Sequence, residues 1–304
     1  MDRVTQSNGP GGTGAAWEAG LSDKEFEIFR ALVYEHTGIS LSESKRPLLQ
    51  ARLTRRLRAL GLATFSEYHR VLTEHDASGE ERGRFVNAIT TNKTDFFREP
   101  HHFRHLAEEW VPAAKARAAQ SGGRAIRIWS AGCSTGEEPY SIAMTIREAL
   151  GTAAGWDVKI LASDLDTDVL ARAEAGVYSV QQAAPIPRAM LSRHFLRGRG
   201  ADAGRVRVRP ALRALITFRR INFLDARWPI RGQLDIIFCR NVIIYFDRPT
   251  KQRVLQRFRG LLKDDGLLIL GHSESAYGLL DGVKHLGHTM YRRTTPGGPA
   301  APAP

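Results

Sequence analysis

Residues 125–140 run Ala-Ile-Arg-Ile-Trp-Ser-Ala-Gly-Cys-Ser-Thr-Gly-Glu-Glu-Pro-Tyr, and no other stretch restricts the fold so tightly. A short apolar strand at 125–129 enters a loop of small residues, Ser130 to Gly136, and two acids then open an amphipathic helix whose first turn suits Pro139. Small residues after a strand let the backbone pass close beneath a nucleotide-like ligand. A diphosphate is disfavoured, because Glu137 and Glu138 sit where its negative charge must go. A ligand with an ammonium group and a sulfonium centre suits the acids, and S-adenosylmethionine is such a ligand. An ordinary strand-to-helix turn is the alternative for the same residues.

From 125 onward strands alternate with helices, the pattern of a parallel-sheet α/β domain. Strands are predicted at 125–129, 158–162, 215–218, 234–239, 267–270 and 285–291, and helices at 139–150, 166–175 and 249–262. Residues 183–214 interrupt the rhythm with a helical piece at 187–195, a turn-rich Arg-Gly-Arg-Gly run and alternating Val206 and Val208. They predict a small antiparallel insertion on the edge of the main sheet. Upstream, 21–90 show helical periodicity only. Phe26, Ile28, Phe29, Leu32 and Val33 follow a candidate N-cap, Ser22; Leu48, Leu49, Leu53, Leu57 and Leu60 mark a second helix; Phe65 to Leu72 and Phe85 to Ile89 supply two more. Residues 91–124 are expected to be a linker and a connecting helix at 100–119. Residues 1–20 and 294–304 are expected to be a disordered leader and tail.

The chain's 304 residues are enough for two domains, and no apolar run approaches the ~18 residues of a membrane span. Two cysteines, Cys133 and Cys239, make no disulfide framework and suit a reducing cytoplasm. The net charge of +12 is concentrated: six basic residues against Glu43 alone in 41–60, and ten arginines against Asp202 alone in 182–222. Such patches point to an acidic partner, although an arginine-rich high-GC genome accounts for part of the excess.

Asp164, 28 residues after Gly136, ends the second strand, where an acid can accept ribose hydroxyls; a structural turn aspartate is the other reading. Asp166 is better explained as a helix cap. The buried strand at 234–239 stops at Arg240-Asn241, with Tyr245 four residues on. Ligands of open parallel sheets lie beyond such strand ends, though pairing of Arg240 with a rim carboxylate is the other reading. Residues 90–100, Thr-Thr-Asn-Lys-Thr-Asp-Phe-Phe-Arg-Glu-Pro, are too polar at their start for a core, and in isolation they suit a linker with a helix cap.

Together with Gly271-His272-Ser273-Glu274-Ser275, these segments resemble the CheR-type glutamate O-methyltransferases of chemotaxis receptors, in order and spacing, over about 22–293. The resemblance implies an all-α N-terminal domain followed by a Rossmann-like α/β methyltransferase domain at 125–293, carrying a small antiparallel β insertion. It implies methyl transfer from S-adenosylmethionine to receptor glutamates, leaving S-adenosylhomocysteine. By the same resemblance Asn92, Thr94, Arg98, Glu137, Asp164, Asn222, Phe223, Arg240 and Asn241 line the cofactor site, with Glu137 on the amino-acid end, Asp164 on the ribose, and Asn222 and Phe223 flanking the adenine. Arg98, Arg240 and Tyr245 stand nearest the transferred methyl. No metal is expected.

Arg52, Arg55 and Arg56 share one helix face, either to steer the acidic helical region of a receptor or as a solvated face. The insertion resembles the subdomain that captures a receptor C-terminal peptide in some family members. The enzyme is expected to be a cytoplasmic monomer that neither enters the membrane nor binds nucleic acid. The rival class, a nucleic-acid methyltransferase, lacks support from an Asp/Asn-Pro-Pro-aromatic motif, whose place here is Arg240-Asn241-Val242-Ile243. A nicotinamide dehydrogenase lacks Gly-x-Gly-x-x-Gly. A cofactor sensor without turnover would keep ligand affinity and have no rate to lose when Arg98 or Tyr245 is replaced.

Overall fold

The computed structural model describes residues 20–151 and 155–294, so the expected leader and tail, apart from Gly20 and Thr294, lie outside the described residues. The described residues form two compact units, one comprising those up to Val33 with Leu41–Ile89, the other Tyr34–Ser40 with those from Thr90 onward.

The first unit is helical: most of α1 (Asp23–Thr37), then α2 (Arg46–Leu60), α3 (Phe65–Arg70), which runs on through a wider turn at Val71–His75, and α4 (Glu80–Ile89). Ser22 and Glu25 exchange hydrogen bonds across the start of α1, as a capping box does. Phe26, Phe29, Leu49, Leu53, Leu57, Tyr68 and Phe85 make the core. The stripe of α2 is narrower than its leucines predict, since Leu48 and Leu60 are 41% and 38% exposed.

In the second unit the connecting helix expected at 100–119 runs without a break as α5 (Pro100–His105), a π-widened stretch at Leu106–Trp110 and α6 (Val111–Ser121). Then come β1 (Ala125–Ala131), α7 (Glu137–Leu150), β2 (Asp157–Asp164) and α8 (Thr167–Ala175). The insertion follows: β3 (Val177–Ser179), α9 (Arg188–His194), β4 (Phe195–Arg197), β5 (Arg205–Val208) and α10 (Pro210–Arg213). The chain ends with β6 (Ile216–Arg220), β7 (Leu234–Cys239), α11 (Arg248–Leu261), β8 (Leu262–Leu270), β9 (Val283–Gly287) and β10 (Met290–Arg293).

The main sheet has the order β6-β2-β1-β7-β8-β10-β9, parallel from β6 to β8 and antiparallel thereafter. Apolar cores cover both faces, as a parallel sheet requires. Strand order reverses beside β1, which places a switch point between β1 and β7.

Two expectations are corrected. The strand predicted at 285–291 is the β9–β10 hairpin, turned by His288 and Thr289 at φ 49° and 60°. Without the usual glycine at those positions, the turn carries little signal in the sequence. The insertion is a separate sheet, β3-β5-β4, rather than an edge of the main one, and it begins at Val177. Among the described residues no helix is long and apolar enough to cross a membrane.

Candidate active site

A cleft of about 930 Å³ opens where β1, β2, β6 and β7 end, and every residue lining it belongs to the second unit. It gathers Asn92, Thr94, Arg98, Asp164, Asn222, Phe223, Arg240, Asn241 and Tyr245, all the cofactor and catalytic residues named from the sequence except Glu137.

The loop after β1 is fixed first. Gly132 and Cys133 donate their N–H groups to the Ser163 carbonyl at 2.8 and 2.9 Å, and Ser134 N–H reaches Asp164 Oδ2 at 2.8 Å. Asp164 Oδ1 accepts the Asp166 N–H at 3.1 Å, which aims the carboxyl end of β2 at the cleft. Burial pushes the Asp164 carboxyl up, against the pull of those N–H groups. Asp166 caps α8, accepting from Asp168 and Val169 at 2.9 and 3.2 Å. Its other oxygen takes the Thr90 hydroxyl and the Asn92 amide, each at 2.7 Å, so one aspartate ends the helix and pins the 90–92 segment.

On the far side, Asn222 and Phe223 lie beyond the end of β6. Asn222 donates to the His36 carbonyl at 2.7 Å and accepts the Leu224 N–H at 3.0 Å. Phe223 packs edge-on against Trp129 and Phe258. Arg257 stacks on Trp228 at 3.6 Å and donates to the carbonyls of Phe223, Asp225 and Ala226.

The acids at the start of α7 divide the work differently from the expectation. Glu138 lines the cleft, whereas Glu137 is buried beside it and accepts the Thr135 hydroxyl at 2.6 Å. Burial and then the nearby charge of Asp95, a lining residue, push the Glu137 carboxyl up. Arg240 is buried between two carboxylates, its Nη1 3.1 Å from Glu138 Oε2 and its Nη2 3.1 Å from Glu99 Oε2, and it donates to the Arg98 carbonyl. Arg98 donates to the Lys93 carbonyl at 2.9 Å, and both Arg98 and Tyr245 are among the residues that line the cleft. Ser40 N–H bonds the Tyr245 carbonyl at 2.8 Å, so residues 37–40, which carried no sequence signal, brace this wall.

Glu99, His101 and His102 bring ligand atoms within 4.8 Å of one another. Arg240 already fills the cation's place on Glu99. His102 Nε2 donates to the His288 carbonyl at 2.8 Å, and burial lowers its pKa to about 4, so the ring is neutral and its contact with Glu99 is not an ion pair.

Two of the three arginines expected to meet a partner have work inside the first unit. Arg56 holds both oxygens of Glu81, at 2.6 and 2.9 Å, while the Tyr68 hydroxyl donates to the same carboxylate. Arg52 donates to the Ile89 carbonyl, and Arg55 is exposed.

The residues of the cleft fit S-adenosylmethionine: Asp164 offers its carboxylate to hydroxyls, Asp95 and the Arg240-paired Glu138 also line it, and Gly132 leaves a floor that a side chain would fill. A Cβ on Gly132, at φ 93°, would come within 2.3 Å of Val242 Cγ2. Gly132→Ala is therefore expected to cost about 1–3 kcal/mol of stability and to abolish cofactor uptake, checked by thermal unfolding and calorimetry.

Comparison with known proteins agrees with this geometry. Residues 24–90 match the model of the CheR methyltransferase all-alpha domain, and residues 92–292 that of the CheR methyltransferase SAM binding domain. Chemotaxis protein methyltransferase 2 of Pseudomonas aeruginosa is 49% identical over 268 residues, covering 88% of this chain and 92% of the relative. The chemotaxis protein methyltransferase of Escherichia coli is 45% identical over 272 residues, covering 89% and 91%. That of Borreliella burgdorferi is 36% identical over 271 residues, covering 89% and 93%.

Proposed function

The chain belongs to the CheR methyltransferase family and is an S-adenosylmethionine-dependent methyltransferase of chemoreceptors; from that premise we propose that it esterifies receptor glutamates at the Arg98–Tyr245 end of its cleft. The observation that carries this reading is the convergence of strand-end residues from β1, β2, β6 and β7 on one cleft.

The cofactor, when bound, supplies a methyl group made electrophilic by its sulfonium. Asp164 takes the ribose hydroxyls, Asn222 and Phe223 flank the adenine, and Asn92, Thr94 and Asn241 hold the amino-acid end, with Glu137, buried outside the lining and bonded to Thr135, adding its charge from behind them. A glutamate side chain, with a pKa of about 4.3, is already anionic near neutrality, so no general base is required. What remains is alignment of a carboxylate oxygen with the reacting carbon. Arg98 and Tyr245 do this through charge-assisted hydrogen bonds. Arg240, neutralised by Glu99 and Glu138, does not grip the nucleophile and leaves its reactivity intact. It positions Arg98 instead, through that residue's carbonyl.

Arg52, Arg55 and Arg56 give α2 a positive face toward an acidic receptor helix, with Arg55 the side chain available for direct contact. The β3-β5-β4 sheet has edges at β3 and β4, with Val177 and Leu196 exposed, and a receptor C-terminal peptide extends one of them as an added strand. Such tethering raises local concentration without new cleft contacts. The enzyme acts as a monomer in the cytoplasm.

Incubation with methyl-labelled cofactor and receptor cytoplasmic fragments, followed by mild alkali, tests the reaction. Carboxyl methyl esters release volatile methanol. Label that survives alkali, or that appears only on RNA, would overturn the glutamate assignment.

A further inference from the structure

Glu274 lies in the 271–275 segment after β8, which no step above uses. It is only 5% exposed, and its carboxylate collects four backbone N–H groups. Oε2 accepts from Asn241 at 2.8 Å and Gly271 at 2.6 Å, and Oε1 from Val242 at 2.9 Å and Ile244 at 3.2 Å. Three of these donors form the turn that follows β7 and leads into Tyr245. Within it Asn241 sits at φ 60°, a left-handed conformation that persists only where the surroundings impose it. The fourth donor, Gly271, is a glycine for a steric reason. A Cβ there would lie 2.7 Å from Asn241 N and 2.8 Å from Glu274 Oε2.

We propose that Glu274 is a positioning residue for methyl transfer: its carboxylate shapes the 241–244 turn and thereby sets Asn241 and Val242 against the cofactor and Tyr245 against the incoming glutamate. What the turn holds rests on the function proposed above; that Glu274 shapes the turn does not. A carboxylate is required because each oxygen takes two donors, and an amide would turn its own N–H groups toward one of those pairs. Burial raises the carboxyl's pKa and the four N–H groups lower it, so the nest offsets part of the cost of a buried charge.

The test is Glu274→Gln in the full chain, with Glu274→Asp as the carboxylate-retaining control. Amide hydrogen exchange in 240–246 is expected to quicken about ten-fold or more while β1 and β2 keep wild-type protection. S-adenosylhomocysteine is expected to bind roughly ten-fold more weakly by calorimetry, and kcat to fall with little change in the KM for receptor fragment. The aspartate variant should lie between wild type and glutamine in all three, and it carries the comparison alone if the glutamine variant does not fold. Unchanged exchange at 240–246, or exchange that quickens uniformly across the unit, overturns the proposal, as does local loss of protection with affinity and kcat intact. A failure of the methyltransferase reading would look different: wild-type protein would not bind S-adenosylhomocysteine, whatever the exchange pattern.

Discussion

Arg240→Ala is expected to destabilise the protein by about 3–5 kcal/mol at neutral pH and to abolish methyl transfer. The guanidinium is the cation between Glu99 and Glu138, and its removal strands two largely buried carboxylates without a counter-charge. Glu138 is already pushed up by burial even with Arg240 beside it, whereas Glu99 lies below its ordinary value, with Arg240 the largest influence lowering it. In the variant both folded-state values rise above the unfolded ones. A carboxylate raised in this way contributes stability below its unfolded pKa and loses it as pH rises through the folded one. The deficit relative to wild type should therefore shrink from pH 7 toward pH 4, as denaturant unfolding at several pH values would measure. A double variant, Arg240→Met with Glu138→Gln, should regain part of the stability and none of the activity, because the segment carrying Arg98 stays unanchored. Equal deficits at all pH values would show that the loss is one of packing against Phe103 rather than of charge.

The same arginine marks how far the sequence could be followed. An apolar run ended abruptly by Arg-Asn locates a strand end facing a ligand, because parallel strands buried on both faces have few other places for a charge. That run does not say that the charge is consumed by two carboxylates of the protein itself, one from 99 and one from 138. The choice between Glu137 and Glu138 was equally hidden. Neighbours on a helix point about 100° apart, and only the packed structure says which faces the cleft. Thr37 and Ile39 were out of reach because they come from the end of α1, in a stretch whose periodicity announces only a helix. The 271–275 segment could be recognised by resemblance but had no role, because its chemistry depends on backbone N–H groups 30 residues away in the chain. Five parallel strands were legible from their apolar runs. The three-residue strands β3 and β4 were too short to establish a period.

Asp164→Ala is expected to weaken cofactor binding at least about a hundred-fold, because two charge-assisted hydrogen bonds to ribose hydroxyls are worth roughly 1.5–3 kcal/mol each. The folded protein should survive, since Gly132 and Cys133 still anchor the loop to the Ser163 carbonyl, and the acceptor lost is that of the Ser134, Asp166 and Leu165 N–H groups. Acidification separates the two consequences of this carboxyl by sign. Its folded pKa stands above the ordinary aspartate value near 3.9, chiefly through burial. As pH falls through that raised value the group takes up a proton and loses acceptor capacity, so affinity for the nucleoside declines in a range where exposed aspartates are still ionised. Stability of the unliganded protein moves the other way. A raised carboxyl costs stability once ionised, so its contribution improves over the same interval, between the raised folded value and about 3.9. Calorimetric titration of S-adenosylhomocysteine and unfolding of the free protein, each compared with Asp164→Asn across pH 4 to 7, measure the two slopes. Opposite signs that both vanish in the asparagine variant are the expected result. Parallel slopes, or an affinity that ignores pH, would remove Asp164 from the ribose and leave it as the brace of the Ser134 turn.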